Sequence, residues 1–168
     1  LAESHFAVYC LPGLASPVTT LAPRFAAARI SHQIIDPGQV VPGLPFAVKT
    51  AAAGAAEAAA AQGGAGLLVW LDAGSLILRR PLDLRLPSGA VFGYRPVDHT
   101  LVGSRICSPA DGFWQAIYDR CSVPAAHLVP MTTTVDRQVL RPYFNAGLMV
   151  VRPEAGLLQA WIRAITRL

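Results

Sequence analysis

The stretch LLVWLDAGSLIL, Leu67–Leu78, opens with five apolar residues and then ends abruptly on a carboxylate, Asp72. A continuous apolar run is typical of a central parallel strand when helices cover both faces of its sheet. In open α/β sheets, ligands bind beyond the carboxyl ends of the strands, so Asp72 would face such a crevice. The alternative is an aspartate whose side chain only caps the following turn.

Strands and helices alternate along the chain on both sides of this stretch. Further apolar runs predict strands over Phe6–Cys10, His32–Asp36, Ala90–Tyr94 and Phe144–Val151. Helical patterns lie between these strands. Pro23 is expected to kink or restart the first helix, and an alanine-rich helix is predicted over Phe46–Gln62. A third helix is predicted with Ser108 as its N-cap, and a last helix begins at about Pro153. This order predicts an α/β fold with a three-layer, mostly parallel central sheet flanked by helices. A length of 168 residues predicts a single domain, 1–168.

The composition excludes several classes of protein. Apolar residues make up 53% of the chain and charged residues 14%, which favours a large core over disorder. The net charge of +4 comes from thirteen Arg and one Lys, spread singly or in pairs. Nucleic-acid binding needs clustered basic residues with interleaved aromatics, so we expect no nucleic-acid partner.

The N-terminal sequence and the cysteines indicate the cellular compartment of the protein. Three cysteines lie far apart without a CxxC motif or zinc-site spacing, which favours a reducing compartment. No apolar run reaches about 18 residues and no signal-peptide pattern opens the chain. We therefore expect a cytoplasmic protein without a transmembrane segment.

Two motifs together resemble the paired signature of nucleotide-sugar glycosyltransferases. The first is LLVWLDAGSLILRRP, Leu67–Pro81, and the second is RPYFNAGLMVVRP, Arg141–Pro153, with about 70 residues between Asp72 and Asn145. The resemblance is to enzymes with the GT-A fold, above all the glycogenin-like family 8 and its relatives. It implies a Rossmann-like domain that binds a UDP- or GDP-sugar and transfers the hexosyl group to an unknown acceptor.

The resemblance also implies roles for individual residues. In that family an Asp-x-Asp element holds a divalent cation against the donor's diphosphate, so Asp72 would bind Mn²⁺ or Mg²⁺. An FNAG-like element lies beside the donor sugar there, so Asn145 would be catalytic. The nucleotide-sugar site would then consist of Lys49, Asp72, Ala73, Gly74, Asn145, Ala146 and Gly147.

Asp136 is the second catalytic candidate. It resembles the acidic residue of an Asp-Gln pair that many such enzymes carry before the second motif, although Arg137 is inserted here. An aspartate near a helix N-terminus is the alternative interpretation of Asp136. For Asn145 the alternative is a turn-forming residue that precedes a glycine. Arg79 and Arg80 are further candidates to contact the diphosphate.

Two departures from the family pattern leave a second hypothesis open. Gly74 stands where the metal motif has its second aspartate, so the motif is a degenerate Asp-Ala-Gly. The family's downstream segment, with a metal-ligating His and a GxxKPW-like element, has no counterpart before Leu168. The sequence is therefore consistent also with a C-terminally truncated fold, and with an inactive nucleotide-sugar-binding or structural relative. A third hypothesis is a doubly wound domain unrelated to glycosyl transfer, and it holds only if both motif matches are coincidental.

Overall fold

The computed structural model describes most of the chain, in two compact units. The described residues are 4–11, 15–36, 44, 47–78, 84–101 and 103–167. The first unit comprises Leu1–Leu68 and Pro153–Thr166, and the second comprises Val69–Arg152 with Arg167–Leu168. The single domain expected from chain length stays a prediction.

The first unit contains a two-stranded parallel sheet. Strand β1, Phe6–Cys10, pairs with β2, Ile30–Ile34, from Phe6 opposite Ile30 to Cys10 opposite Ile34. Helix α1, Ala15–Ala27, connects the two strands as a crossover. The predicted β1 is confirmed. Strand β2 begins two residues before the predicted His32, and α1 continues through Pro23, so the expected restart of the helix is wrong.

Two helices pack together in the same unit. Helix α2, Ala47–Gln62, confirms the alanine-rich prediction to within one residue. Helix α4, Leu157–Ile165, packs against it, and an added Cβ at Gly54 would lie 3.3 Å from Ile162 Cγ2. Small residues on α2 therefore permit the close approach, and five of its alanines are almost fully buried: Ala47, Ala51, Ala52, Ala53 and Ala56.

The buried Glu57 joins the two helices through hydrogen bonds. Its carboxylate oxygens accept from the main-chain N–H groups of Leu158, at 3.1 Å, and Gln159, at 2.8 Å. These donors lie in the first turn of α4, where N–H groups have no partner within the helix. Gly156, the N-cap residue, has a left-handed φ of 64° and supplies no side chain, so Glu57 caps α4 from another helix.

The second unit is built on a three-stranded sheet. Its order is β3, Leu68–Leu71, then β7, Phe144–Val151, then β4, Phe92–Pro96. Strands β4 and β7 are antiparallel, and the second half of β7, from Met149 to Val151, is buried. The prediction of β7 is confirmed, whereas β4 begins two residues later than Ala90.

A hairpin and a helix complete this unit. Strands β5, Met131–Thr132, and β6, Val139–Leu140, form an antiparallel pair. Helix α3, Gly112–Cys121, begins after Asp111, whose side chain accepts from the N–H of Trp114 at 3.0 Å. The predicted cap at Ser108 is wrong because Asp111 provides the carboxylate acceptor three residues later. A short 3₁₀ helix covers Ala125–His127 in this unit, and another covers Pro153–Ala155 in the first unit.

The fold class is α/β, as predicted. The strands described form three small sheets, of which the β1–β2 sheet is parallel and the β4–β7 and β5–β6 pairs are antiparallel. The three-layer, mostly parallel central sheet therefore stays a prediction. Within the described residues no helix is long and apolar enough to cross a membrane.

Candidate functional site

Asp72 follows directly on strand β3 and is held by its main chain on both sides. Its N–H donates to the main-chain oxygen of Gly147 at 2.9 Å, and its carbonyl accepts from the N–H of Ser75 at 2.9 Å. The second bond closes a turn over Asp72, Ala73, Gly74 and Ser75. The half-buried carboxylate of Asp72 therefore lies at the end of the apolar strand, and the chain reverses direction directly after it.

Asn145 begins the irregular part of strand β7. Arg95 of β4 lies opposite Asn145, while the preceding residue, Tyr94, lies opposite Met149. Three residues of β7, 146–148, therefore have no partner on β4 and form a bulge. The Oδ1 atom of Asn145 accepts from the N–H of Gly147 at 2.9 Å and stabilises this bulge.

The side chains of Asp72 and Asn145 meet at Gly147. A Cβ atom added to Gly147 would lie 3.0 Å from Asn145 Oδ1 and 3.5 Å from Asp72 Oδ2. Only a residue without a side chain lets both groups approach the main chain this closely. The structure thus brings together residues of both sequence motifs, one half-buried carboxylate and one exposed amide, around the glycine of the bulge.

Position 74 leaves room for a side chain that the sequence lacks. An added Cβ at Gly74 would have no atom within 4 Å, and its φ is outside the left-handed region. No group of three or more His, Cys, Asp or Glu residues that could hold a metal ion occurs in the described part of the chain. Within those residues, Asp72 is therefore not part of a three-ligand cluster. A carboxylate is a ligand type that Mg²⁺ accepts together with phosphates and water.

Asp136 lies in the β5–β6 hairpin loop, so its interpretation as a helix N-terminal residue is wrong. Its carboxylate accepts from the Thr133 hydroxyl and, at 2.9 Å, from the N–H of Thr100. The Thr133 hydrogen bond first, and then that of Thr100, lower the pKa of Asp136 to about 2. The carboxyl is therefore ionised at neutral pH.

A neighbouring set of contacts, which the sequence did not reveal, fixes this hairpin loop to the end of β4. The N–H groups of Thr134 and Val135 donate to the carbonyls of Val97 and Asp98 at 3.1 and 3.0 Å. The Asp98 carboxylate accepts from the Thr134 hydroxyl and forms an ion pair with Arg95 at 3.2 Å. The Thr134 hydroxyl, followed by Arg95, lowers the pKa of Asp98. Because Arg95 lies opposite Asn145, this network belongs to the same end of the sheet.

Three aromatic rings support the strands beside Asn145. The ring centroids of Tyr94 and Phe144 are 4.0 Å apart, and Phe92 lies 6.0 Å from Phe144 and 5.5 Å from Tyr94. Tilted and edge-to-face contacts of this kind stabilise adjacent strands beyond simple burial. The aromatic residues at alternate positions 92 and 94 are the sequence signal that would have indicated this cluster.

The structure does not test the three basic candidates. Lys49 lies in the first turn of α2, in the first unit, and its expected contact with a diphosphate stays a prediction. Arg79 and Arg80 lie outside the described residues. The other predicted site residues all lie in the second unit: Asp72, Ala73, Gly74, Asp136, Asn145, Ala146 and Gly147.

Comparison with known proteins identifies a family. A family model described as a Rhodobacterales glycosyltransferase domain matches residues 55–168, well over half of the chain. No curated protein and no solved structure matches significantly. The matched region contains both motifs, with Asp72, Asp136 and Asn145, and begins after Lys49.

Proposed function

The chain belongs to the Rhodobacterales glycosyltransferase domain family, and on that premise we propose that it binds a nucleotide diphosphate sugar at Asp72 and Asn145. The observation that supports this site is that both side chains approach Gly147. A Cβ added to Gly147 would lie 3.0 Å from Asn145 Oδ1 and 3.5 Å from Asp72 Oδ2. The proposed fold is the GT-A type, with a three-layer, mostly parallel sheet and a relation to the glycogenin-like enzymes. The proposed reaction transfers the donor's hexosyl group to an acceptor.

Asn145 is proposed to bind the donor sugar through its amide nitrogen. Its Oδ1 already accepts from the N–H of Gly147, so the NH₂ group is the end left to donate to a sugar hydroxyl. The bulge holds the amide in one orientation, which lowers the entropic cost of binding. Ala146 and Gly147 present main chain beside it, and their small size lets the sugar approach closely.

Asp72 is proposed to act at the diphosphate. It would supply one carboxylate oxygen to a Mg²⁺ or Mn²⁺ ion whose remaining ligands are diphosphate oxygens and water. The chemistry that such an ion would supply is Lewis-acid neutralisation of the charge on the leaving diphosphate. Ala73 and Gly74 form the turn that follows Asp72, and Lys49 is the proposed cationic contact to the same phosphates.

Asp136 is proposed to contribute as a fixed negative charge. A carboxyl with a pKa of about 2 is a weak base at neutral pH, so it is poorly suited to remove the acceptor's proton. It is suited to stabilise the positive charge that develops on the sugar ring as the leaving group departs. The acceptor hydroxyl forms the new bond to the anomeric carbon and gives its proton to the departing phosphate oxygen, which takes the electron pair of the old bond.

A second candidate function is donor binding without turnover. It is favoured by Gly74 and by the lack of a three-ligand metal cluster in the described ranges. A reducing compartment fits the free thiols of Cys10, Cys107 and Cys121, so we include a cytoplasmic location in the proposal.

Calorimetric titration distinguishes these functions. The chain is titrated with UDP, GDP, UDP-glucose and GDP-mannose, each with and without Mn²⁺, and release of the nucleotide from a bound donor is then followed. Saturable binding with slow release of the free nucleotide supports the enzyme. Binding without release supports the non-catalytic relative, and no binding of any donor contradicts both.

A further inference from the structure

A cleft of about 490 Å³ lies in the second unit, apart from the site around Gly147. Its wall is formed by the residues before α3, one side of α3, the segment around the 3₁₀ helix Ala125–His127, and Arg141. Neither Asp72 nor Asn145 lines it. The volume is in the range of pockets that hold small molecules.

Arg141 places a positive charge in the wall of this cleft. The residue is only 4% exposed, and its Nη2 donates to the main-chain oxygen of Ser108. Its Nε is enclosed and donates to no acceptor, and no carboxylate of the described residues forms an ion pair with it. A buried charge in this state is unfavourable unless a counter-charge is present.

Tyr118 adds a second donor without a partner. Its hydroxyl is enclosed and makes no hydrogen bond, and its side chain lines the same cleft from α3. Buried hydroxyl and guanidinium donors are almost always paired in folded proteins. Both donors belong to residues that line the cleft, so a small rotation of either side chain would direct its donor to an acceptor supplied from outside the chain.

The cleft also contains one carboxylate, on Asp119. This group accepts from the Gln115 side-chain amide at 2.8 Å, and both residues are exposed. Water screens an exposed charge far more than a buried one, so Asp119 opposes an anion only weakly. Arg141, being buried, determines the charge preference of the cleft.

We propose that this cleft binds an anionic group, a carboxylate or a phosphate, that accepts hydrogen bonds from Arg141 and Tyr118. The guanidinium offers several donors in one plane, which suits both anions. Neither the Arg141 Nε nor the Tyr118 hydroxyl has to give up a protein partner on binding. The volume admits a sugar acid or a sugar phosphate as well as a free anion.

The test follows the Arg141 Nε–H signal by ¹H–¹⁵N NMR while the full chain is titrated with four probes. These are inorganic phosphate, glucose 6-phosphate, glucuronate and neutral glucose. The signal is assigned by its loss in Arg141→Lys, or through bonds in the unmodified chain if that variant does not fold. We expect a saturable shift with at least one anion and none with glucose.

Two further variants make the outcome specific. Tyr118→Phe retains the ring and removes the hydroxyl, and we expect the affinity for the anion to fall about five- to tenfold. Arg105→Lys, at an exposed position, should leave the affinity unchanged. Tighter binding of a sugar anion than of inorganic phosphate would identify an anionic sugar as the ligand, and the reverse would identify a free anion.

The proposal is overturned if no anion gives a saturable shift, if glucose binds equally well, or if Tyr118→Phe binds with full affinity. It does not depend on the proposed function. No nucleotide sugar is present in these titrations, so failure of the anion site and failure of the donor site are observed separately.

Discussion

The main-chain N–H of Asp72 donates a hydrogen bond to the main-chain oxygen of Gly147 at 2.9 Å. This bond joins the end of β3 to the bulge in β7, and so it joins the two sequence motifs. The Asp72 carboxylate lies close to the same glycine, with Oδ2 3.5 Å from where a Cβ would be. Main-chain pairing thus fixes the position of the proposed donor-binding carboxylate.

Gly147→Ala should disrupt the proposed site while leaving the fold intact. The new methyl would lie 3.0 Å from Asn145 Oδ1, closer than carbon and oxygen normally approach, so the amide must rotate or shift. We expect affinity for the nucleotide sugar to fall at least about tenfold, since misplacement of a binding group by a fraction of an ångström is costly. Calorimetry measures this, with circular dichroism to confirm the fold.

The matched control is Gly112→Ala, which adds the same methyl at an exposed position at the start of α3, outside the proposed donor site. No atom lies within 4 Å of that added Cβ, so the variant should bind as the unmodified chain does. Equal affinity in both variants would show that the contact between Asn145 and Gly147 has no part in donor binding.

Gly74→Asp should strengthen the dependence of binding on metal. The position has open space and a φ that any L residue adopts, so a second carboxylate can be introduced without strain. A second oxygen ligand beside Asp72 should raise Mn²⁺-dependent affinity for the donor by about three- to tenfold. Gly74→Asn, of the same size but without the charge, should produce a smaller gain in the same titration. If neither variant gains affinity, this turn does not face the diphosphate.

Glu57→Ala should destabilise the first unit. It removes the acceptor for the N–H groups of Leu158 and Gln159 and opens a cavity at a fully buried position. We expect the free energy of unfolding to fall by about 2–4 kcal/mol, and by about 1–2 kcal/mol in Glu57→Gln, which can still accept with one oxygen. Urea denaturation measures both.

Glu154→Gln is the control for this effect, because Glu154 is exposed and only a few residues from α4. Its unfolding midpoint should be unchanged. A Glu57→Ala midpoint equal to that of the control would mean that α4 does not require its cap from α2.

Acid should weaken the hairpin loop through Asp136. The hydrogen bonds from Thr133 and Thr100 lower its pKa from the ordinary 3.8 to about 2. A lowered pKa contributes stability that is complete above about pH 4 and is lost as the pH falls towards 2. Urea midpoints measured between pH 5 and pH 2 should therefore fall more steeply for the unmodified chain than for Asp136→Asn. Parallel curves would contradict the structural role of this carboxylate.

Much of the fold could be predicted because the strands and the alanine-rich helix have strong local signals. Phe6–Cys10 and Phe144–Val151 are continuous apolar runs between turn residues, and both strands begin and end as predicted. The sequence predicts a start of helix α3 that is three residues too early because Ser108 and Asp111 are both good N-caps. Local propensity does not decide between two such residues, whereas the hydrogen bond to Trp114 does.

The site could be predicted only in part, because its geometry depends on pairing between distant strands. The two motifs indicate Asp72 and Asn145, but the approach of these residues at Gly147 depends on the register of β7. Glu57 lies in an alanine-rich helix, where a charged residue is expected to face solvent. Glu57 caps α4 through a hydrogen bond to Leu158, which is 101 residues away in the sequence, and no local pattern encodes such a contact.

The most direct test of the central claim is a comparison of Asp72→Asn with the unmodified chain in calorimetric titrations with UDP- and GDP-sugars, with and without Mn²⁺. Asparagine keeps the size of the side chain and the main-chain bond to Gly147, so the fold should be unaffected. We predict that the unmodified chain binds one donor more tightly with Mn²⁺, and that Asp72→Asn loses this gain, with affinity lower by at least about tenfold. Identical metal-dependent binding by the variant would contradict the assignment of Asp72 to the donor site.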